Sequence, residues 1–202
     1  MRIIWLRSLT LVALLGQALA PGATAGEAPA TFIIDPDRSV VRFTVTKLGF
    51  AEVTGVFREW TGEIRWNPSE PEASSIRWRV TVASVLTDEP NRDSTLQNRE
   101  YFDAARHPEL SFESTRVRAT GPGLLEVQGR LAMRGQTRHI TVPVRYSGSE
   151  TAPVFETDFE VDRFDFGIVG GRMMSRLIGR WARIHLEAVA MAPATTLTEK
   201  AG

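Results

Sequence analysis

The sequence lacks cysteine altogether, contains only three histidines, and balances 24 basic against 24 acidic residues. Without cysteine, the chain has no disulfide, no thiol nucleophile, no thiolate metal site and no cysteine for lipid attachment. The balanced charge does not attract nucleic acid or an anionic membrane surface. A fold of this length must therefore be stabilised by the burial of apolar side chains.

Long apolar runs are also scarce, and the longest one is too short to span a membrane. It extends over twelve residues, 9–20, behind Arg2 and Arg7, whereas a spanning helix needs about twenty. The small residues Ala23-Thr24-Ala25 follow, as at a signal-peptidase site. We therefore expect a signal peptide of residues 1–25 and a periplasmic or secreted protein.

The remaining chain, residues 26–202, has the length of one domain with a sizeable core. Removal of Arg2 and Arg7 leaves 22 basic against 24 acidic residues, a net charge of −2. We predict a single domain over residues 26–192 and a disordered tail over residues 193–202, where regular apolar patterning ends.

Apolar and polar residues alternate along most of this domain. Val41, Phe43 and Val45 alternate with three polar residues, which is the pattern of a half-buried strand. An antiparallel barrel of about eight strands is the simplest arrangement, because closure leaves no long exposed edge. The same rhythm recurs in segments 64–66, 76–82, 110–112, 125–133, 140–146, 155–161 and 184–188, and turn-rich pieces occupy 67–75, 119–123 and 147–153.

Residues 91–115 break this rhythm and gather a serine, several carboxylates, three arginines and a histidine. Ser94 and Gln97 have the spacing of a capping box. Pro108 disfavours helix at the residue before it, and a strand-like pattern resumes after it. We therefore predict the only substantial helix over Arg92–His107, capped by Ser94 or by the aspartate before it.

The same segment offers groups for a hydrolase, Asp93 and His107, and this alternative stays open. A nucleophilic serine requires a base within reach and an oxyanion hole, but no G-x-S-x-G motif is present. His107, His139 and His185 have neither the H-x-H nor the H-E-x-x-H spacing of metal sites. The residues favour neither a catalytic group nor a metal ligand.

Two pairs of opposite charges favour structural roles. Arg92 precedes Asp93, and Arg163 lies two residues before Asp165. We expect both pairs to tie loops to the barrel, with substrate clamping as the weaker alternative. The glycine-rich segment 167–174 does not lie between a strand and a helix, so we expect a flexible loop rather than a phosphate-binding loop.

Five blocks of sequence between about Thr31 and Met191 occur in an order that is typical of a known family. On these blocks the chain resembles the YceI-like family, exported bacterial proteins whose extended lipocalin-like barrel binds polyisoprenoid lipids. One departure is Lys47, where the family commonly has a histidine, so a role of that histidine does not carry over. The blocks are IDPDRSVVRFTV, KLGFAEVTGVFREWTGEI, ASVLTDEPNRDSTLQNREYFDAARHPELSFEST, GRLAMRGQTRHITVPV and VDRFDFGI.

The resemblance implies an all-β fold, an extended eight-stranded antiparallel lipocalin-like barrel with a short helical segment. It also implies that the lumen holds a polyisoprenoid or an isoprenoid quinone, without a further cofactor, for storage, shielding or transport. A homodimer is left open. The ligand-binding side chains are then expected to be Phe43, Val45, Phe57, Ile64, Ile76, Trp78, Val80, Leu96, Phe102, Phe112, Leu131, Met133 and Phe166, with Leu96 and Phe102 facing the lumen from a helical cap.

A barrel filled by its own side chains is the alternative to an open lumen. Eight-stranded barrels are just wide enough either to be packed in this way or to hold one small ligand. A filled barrel would instead point to a structural or interaction module, which would expose a large apolar patch. The alternating pattern is the same in both cases, so these hypotheses differ only in what the interior contains.

Overall fold

The computed structural model describes residues 28–149, 151–171 and 174–193. The predicted signal peptide of residues 1–25 and residues 194–202 of the predicted disordered tail lie outside the described residues. The strands are β1 (Ala30–Ile34), β2 (Val40–Lys47), β3 (Ala51–Phe57), β4 (Trp60–Trp66), β5 (Ser75–Thr81), β6 (Val85–Leu86), β7 (Glu109–Gly121), β8 (Leu124–Met133), β9 (Gln136–Ser149), β10 (Ala152–Asp162) and β11 (Ile178–Met191); the helices are α1 (Pro90–Gln97) and α2 (Met174–Leu177).

Within the described ranges, these segments form eight antiparallel barrel strands, because three of the strands are broken in the middle. β1 and β2 are halves of one strand, interrupted by a 3-10 turn at Pro36–Arg38, and β3–β4 and β5–β6 are the next two. Each strand pairs with its sequence neighbour, and β11 pairs with β1 and β2 to close the barrel. The predicted eight-stranded antiparallel barrel is confirmed.

The break between β1 and β2 does not interrupt the closing ladder. At this point the Asp35 N–H donates to the Val189 carbonyl over 2.9 Å. The Val189 N–H donates to the Ser39 hydroxyl over 2.8 Å. Because both backbone groups of Val189 are satisfied, the strand can bend here at little cost in lost hydrogen bonds.

Inward-facing glycines make room for large rings inside the barrel. Gly129 on β8 is buried, and a Cβ atom built there would lie 2.7 Å from the Glu113 carbonyl oxygen and would also overlap the Phe112 ring. Gly55 has the same relation to the Phe43 ring. The rings of Phe112 and Phe43 therefore occupy space that these glycines leave empty.

Replacing Gly129 with alanine is expected to destabilise the barrel by about 1–3 kcal/mol, because the added methyl group overpacks a filled site. Gly121 is the matched control, since a Cβ atom there meets only Leu124 at an ordinary 3.5 Å. Urea unfolding of both variants tests this. Equal stability of Gly129→Ala and Gly121→Ala would contradict the packing argument.

Helix α1 begins earlier than predicted and is capped by a different residue. Glu89 precedes it, and its carboxylate accepts hydrogen bonds from the backbone N–H groups of Asn91 at 3.1 Å and Arg92 at 3.0 Å. Ser94 lies inside the helix and donates to the Pro90 carbonyl. The capping predictions for Ser94 and the aspartate before it were therefore wrong, because Pro90 is already suited to the first helical turn.

The helix also ends ten residues before the predicted end at His107. Asn98 leaves the helical conformation, with φ −69° and ψ 166°. Its carbonyl then accepts hydrogen bonds from the N–H groups of Tyr101 and Asp103, both at 3.0 Å. Residues 98–108 thus form a series of compact turns, and Pro108 follows these turns rather than a helix.

Truncating Glu89 to alanine is expected to cost about 1 kcal/mol of stability, the typical loss for an amino-terminal cap. Ser94→Ala should cost less, because Ser94 bonds only to a carbonyl within its own helix. Thermal unfolding of the two variants measures the difference. A larger loss for Ser94→Ala would show that Glu89 is not the effective cap.

Candidate functional site

The two long connections of the barrel meet at one end. Residues 87–108 join β6 to β7, and residues 163–177 join β10 to β11. The short turns at 48–50 and 134–135 lie at the same end, which we call the capped end. The connections 67–74 and 122–123 lie at the opposite end. Any opening of the capped end therefore requires movement of the two long connections.

The barrel interior contains two apolar chambers in line. The upper chamber, of ≈ 110 Å³, lies under the capped end, and the lower chamber, of ≈ 50 Å³, lies toward the opposite end. Both chambers are smaller than ligand pockets, which usually measure about 300–1,000 Å³. Side chains therefore fill most of the lumen in this conformation. A ligand would need a larger cavity than either chamber provides.

Most of the side chains predicted to bind ligand line one of these chambers. Phe43, Val45, Phe57, Leu96, Phe102 and Met133 line the upper chamber, and Ile64, Ile76, Trp78 and Phe112 line the lower one. Val80, Leu131 and Phe166 are buried but line neither. Their positions are thus inside the fold, while contact of all thirteen with a ligand stays a prediction.

Two buried side chains, Val41 and Leu131, lie between the chambers along their strands, and we call them the waist residues. On β8, Leu131 lies between Val127, which lines the lower chamber, and Met133, which lines the upper one. Val41 occupies the corresponding place between Ile34 and the upper chamber on the β1–β2 strand. We expect a chain that occupied both chambers to displace these two side chains.

Aromatic rings close the lumen at the opposite end. The Trp66 ring lies edge-on to Tyr146, with centroids 4.7 Å apart, and to Phe155 at 5.2 Å. Such edge-to-face pairs contribute beyond their simple burial. At the capped end, the Phe102 ring from the first long connection packs edge-on against Phe57 of the wall at 5.9 Å. The first long connection thus supplies part of the chamber roof.

The second connection is held by a buried arginine. The Arg163 side chain, only 6% exposed, donates from Nε to the Gly179 carbonyl at 2.8 Å and from Nη1 to Ile168 at 2.6 Å. Its Nη2 donates to the carbonyls of Ser175 at 3.1 Å and Ile178 at 2.9 Å. Burial lowers the pKa of this guanidinium. Its four acceptors are neutral carbonyls, so the hydrogen bonds fix the connection without neutralising the charge.

The predicted pairing of Arg163 with Asp165 was wrong. Asp165 is exposed, while the nearby buried carboxylate of Asp162 pairs with Arg180 at 2.6 Å. The charged groups of this turn are therefore separated, because the 3-10 turn at Arg163–Phe166 points the two side chains in different directions. Arg163 stacks instead on the Phe164 ring at 4.3 Å, a cation–π contact.

The predicted pairing of Arg92 with Asp93 was also wrong. Arg92 pairs at 3.9 Å with Glu89, the cap residue three positions earlier. Asp93 accepts from the Thr87 N–H at 2.8 Å and from the Thr87 hydroxyl at 2.5 Å. Adjacent residues of a helix point in different directions, so each side chain finds a partner elsewhere. Asp93 anchors the start of the first long connection.

Sequence reasoning missed the residue that joins the two long connections. Arg134 lies in the tight β8–β9 turn, with a left-handed φ of 48°. Its Nη1 donates to the Gly167 carbonyl at 2.5 Å, and its Nη2 donates to the Arg99 carbonyl at 2.8 Å. The only available signal was its position immediately before Gly135 in a two-residue hairpin turn.

Gly167 and Gly170, in segment 167–174, both donate their backbone N–H groups to carbonyl oxygens. Gly167 ends the 3-10 turn in a left-handed conformation, φ 68°. The Gly170 N–H donates to the Glu100 carbonyl at 2.8 Å and thus joins the two connections a second time. These N–H groups are not available to bind an anion, and flexibility of the loop stays a prediction.

The three histidines lie apart from the chambers. His107 packs its ring against Gly135, His139 is exposed, and His185 on the outer wall binds Asp158 through Nδ1 at 2.9 Å. Glu156, Asp158 and His185 form the one group in the described ranges that could hold a metal ion. Arg145 already contacts Glu156 and Asp158, and its bond to Glu156 raises the arginine pKa. A cation there would have to compete with this arginine.

Removing the Arg134 side chain is expected to loosen the capped end while leaving the barrel folded. Arg134→Ala deletes both bridging hydrogen bonds, and we expect faster hydrogen exchange in segments 98–107 and 163–171 with unchanged exchange in β8. Arg118→Ala is the control, because it breaks only an exposed pair with Glu126 at 3.2 Å. Equal exchange in both variants would contradict the bridging role.

Comparison with known proteins gives one consistent result. A model of the YceI-like domain matches residues 32–190. A UPF0312 protein from Pseudomonas savastanoi pv. phaseolicola is 32% identical over 173 residues, covering 81% of this chain and 88% of its own. One from Azotobacter vinelandii is 32% identical over 169 residues, covering 79% and 86%.

Solved structures share the fold at low sequence identity. BcnA from Burkholderia cenocepacia superposes with a TM-score of 0.75 at 21% identity, over 78% of this chain and 99% of its own. A polyisoprenoid binding domain from Saccharophagus degradans gives 0.67 at 16% identity, over 82% and 99%. At this level of identity, the superpositions establish the barrel and leave the ligand of this chain open.

Proposed function

Because the chain belongs to the YceI-like family, we propose that it is an exported protein that holds a polyisoprenoid lipid inside its barrel. The observation that carries this proposal is the pair of in-line chambers with almost wholly apolar linings. A slender hydrocarbon chain is the ligand that such a lining accepts without unpaired polar groups. The description of the Saccharophagus degradans domain as polyisoprenoid binding supports the same ligand class. Export is supported by the pattern of residues 1–25.

The small chambers require the lumen to widen when the ligand enters. Displacing packed core side chains costs about 1–3 kcal/mol per site. Each methylene of the ligand contributes about 0.8 kcal/mol when it is buried, so ten methylenes contribute about 8 kcal/mol. Burial therefore exceeds the cost of moving the waist residues Val41 and Leu131. The filled conformation is compatible with a binding function on this account.

The two alternatives receive less support. A hydrolase based on Asp93 and His107 would need both groups in one pocket, but neither lines a chamber. Asp93 is already bound to Thr87. A structural or interaction module would need a large exposed apolar patch. The exposed apolar side chains at the capped end, Leu48, Phe50, Phe164, Val169 and Trp181, are the feature that favours it.

The same exposed side chains fit a protein that exchanges its ligand through the capped end. Phe50 is 81% exposed and Trp181 is 53% exposed. The Arg180 guanidinium lies 5.8 Å from the Trp181 ring and 5.9 Å from the Phe164 ring, so the three side chains are neighbours. An apolar rim next to the upper chamber lowers the cost of passing a hydrocarbon chain through water. We therefore favour transport over static storage.

The described chain contains two helices, and both are short. Across the described ranges, neither helix has the length and hydropathy that a transmembrane segment requires. The proposed partner is the lipid itself, as a polyisoprenoid or as an isoprenoid quinone. A homodimer remains an expectation that rests on the sequence alone.

Filling one chamber at a time tests the proposal. Val45→Trp adds bulk to the upper chamber, and we expect it to abolish binding of prenols of every length, measured by titration calorimetry. Ile76→Trp fills the lower chamber and should retain short prenols while losing long ones. Val80 and Leu131 are less suitable positions, because they have no adjoining space and a tryptophan would destabilise the core.

Arg65→Trp is the matched control, because Arg65 lies on the outer face of β4 next to the inward Ile64. It adds the same ring to the same wall without reducing the lumen, and binding should equal that of the parent protein. Unchanged prenol binding by both Val45→Trp and Ile76→Trp would rule out a ligand in the lumen.

A further inference from the structure

The upper chamber differs from the lower chamber in one respect. Arg163 lines it, 6% exposed, and its pairing is limited to neutral carbonyl oxygens and the Phe164 ring. A guanidinium has five N–H donors. Four are used, which leaves one N–H on Nη1 without an acceptor in the described part of the chain. Burial still lowers the pKa of the Arg163 guanidinium, and the adjacent Asp162 carboxylate favours its charged form but accepts no hydrogen bond from it.

The upper chamber has a second donor, the hydroxyl of Tyr101. This residue is 9% exposed and lines the chamber from the first long connection. Its ring packs on Gly170, where a Cβ atom would lie 3.3 Å from the hydroxyl oxygen. No hydrogen bond of this hydroxyl is found among the described residues, so it is available to an acceptor.

The lower chamber has no comparable group. Its one hydroxyl-bearing residue is Thr157, and that hydroxyl already donates to the Pro143 carbonyl at 2.6 Å. The remaining lining consists of aliphatic and aromatic side chains, of which only Trp78 carries a donor, an uncharged indole N–H. A lipid with an anionic head would therefore meet no positive charge in the lower chamber and would meet one in the upper chamber.

We propose that Arg163 and Tyr101 form a head-group site that binds an anionic oxygen of the lipid, a phosphate or carboxylate, with the isoprenoid tail directed into the lower chamber. This inference rests on the proposed function and specifies its ligand. An N–H donor that carries a positive charge and a hydroxyl donor together select an oxygen acceptor and favour a negative one. The head group then supplies the negative charge that the four neutral carbonyl acceptors of Arg163 lack. Its position in the upper chamber fixes the orientation of the lipid.

Three ligands with one isoprenoid chain test the site. Farnesyl phosphate, farnesol and the hydrocarbon farnesene share one carbon skeleton and differ chiefly in the head group, and we expect the parent protein to bind them in that order of decreasing affinity. Tyr101→Phe should weaken farnesyl phosphate about tenfold, the loss of one hydrogen bond to a charged group, and leave farnesene unchanged. Inorganic phosphate alone should not bind, because the tail supplies most of the affinity.

Tyr146→Phe is the matched control, since Tyr146 is the other tyrosine of the chain and lies in the ring cluster at the opposite end. It should bind all three ligands as the parent does. Arg163→Lys retains the positive charge but loses the planar set of guanidinium N–H donors. We therefore expect weaker farnesyl phosphate binding and a less firmly held second long connection. If this variant fails to fold, Tyr101→Phe alone decides.

The outcomes separate the two proposals. Equal affinity of the parent protein for farnesyl phosphate and farnesene, unaffected by Tyr101→Phe, would overturn the head-group site while leaving the apolar lumen intact. Binding of none of the three ligands would overturn the proposed function itself. Weaker farnesyl phosphate binding in Tyr101→Phe, with farnesene and Tyr146→Phe unaffected, supports both.

Discussion

Closure of the barrel by β11 is the constraint on which the rest of the structure depends. This strand pairs with β10 along one edge and with both β1 and β2 along the other. With cysteine absent, no covalent link helps to hold the ends of the sheet together. The closed ladder gives every barrel strand a paired neighbour on each side and creates an interior lined mainly by apolar groups.

Closure also separates the charged groups of the wall strands from those of the capped end. The wall strands carry their ion pairs on the outer surface, as in the Glu113 carboxylate, whose pKa is lowered by its hydrogen bond from Arg130. The capped end carries instead Arg134, which bridges two connections, and Arg163, which is buried beneath them. The charged residue that lines the lumen, Arg163, thus belongs to a connection rather than to a wall strand.

The strands and their closure could be predicted from the sequence, because alternation such as Val41, Phe43 and Val45 is a local signal of a half-buried strand. The roles of single polar residues could not. Glu89 rather than Ser94 caps α1, and Arg163 bonds to carbonyls up to sixteen residues away rather than to Asp165. Such partners depend on the path of a connection in space. Chamber volume depends on packing, which residue spacing does not encode.

The central claim is that the lumen holds an isoprenoid lipid, and native mass spectrometry of protein purified without detergent tests it most directly. The account predicts a mass above that of the chain alone, and release of an isoprenoid compound when the complex is activated in the gas phase. A spectrum with only the unliganded mass, which persists after incubation with prenyl lipids, would contradict the account and favour a barrel filled by its own side chains.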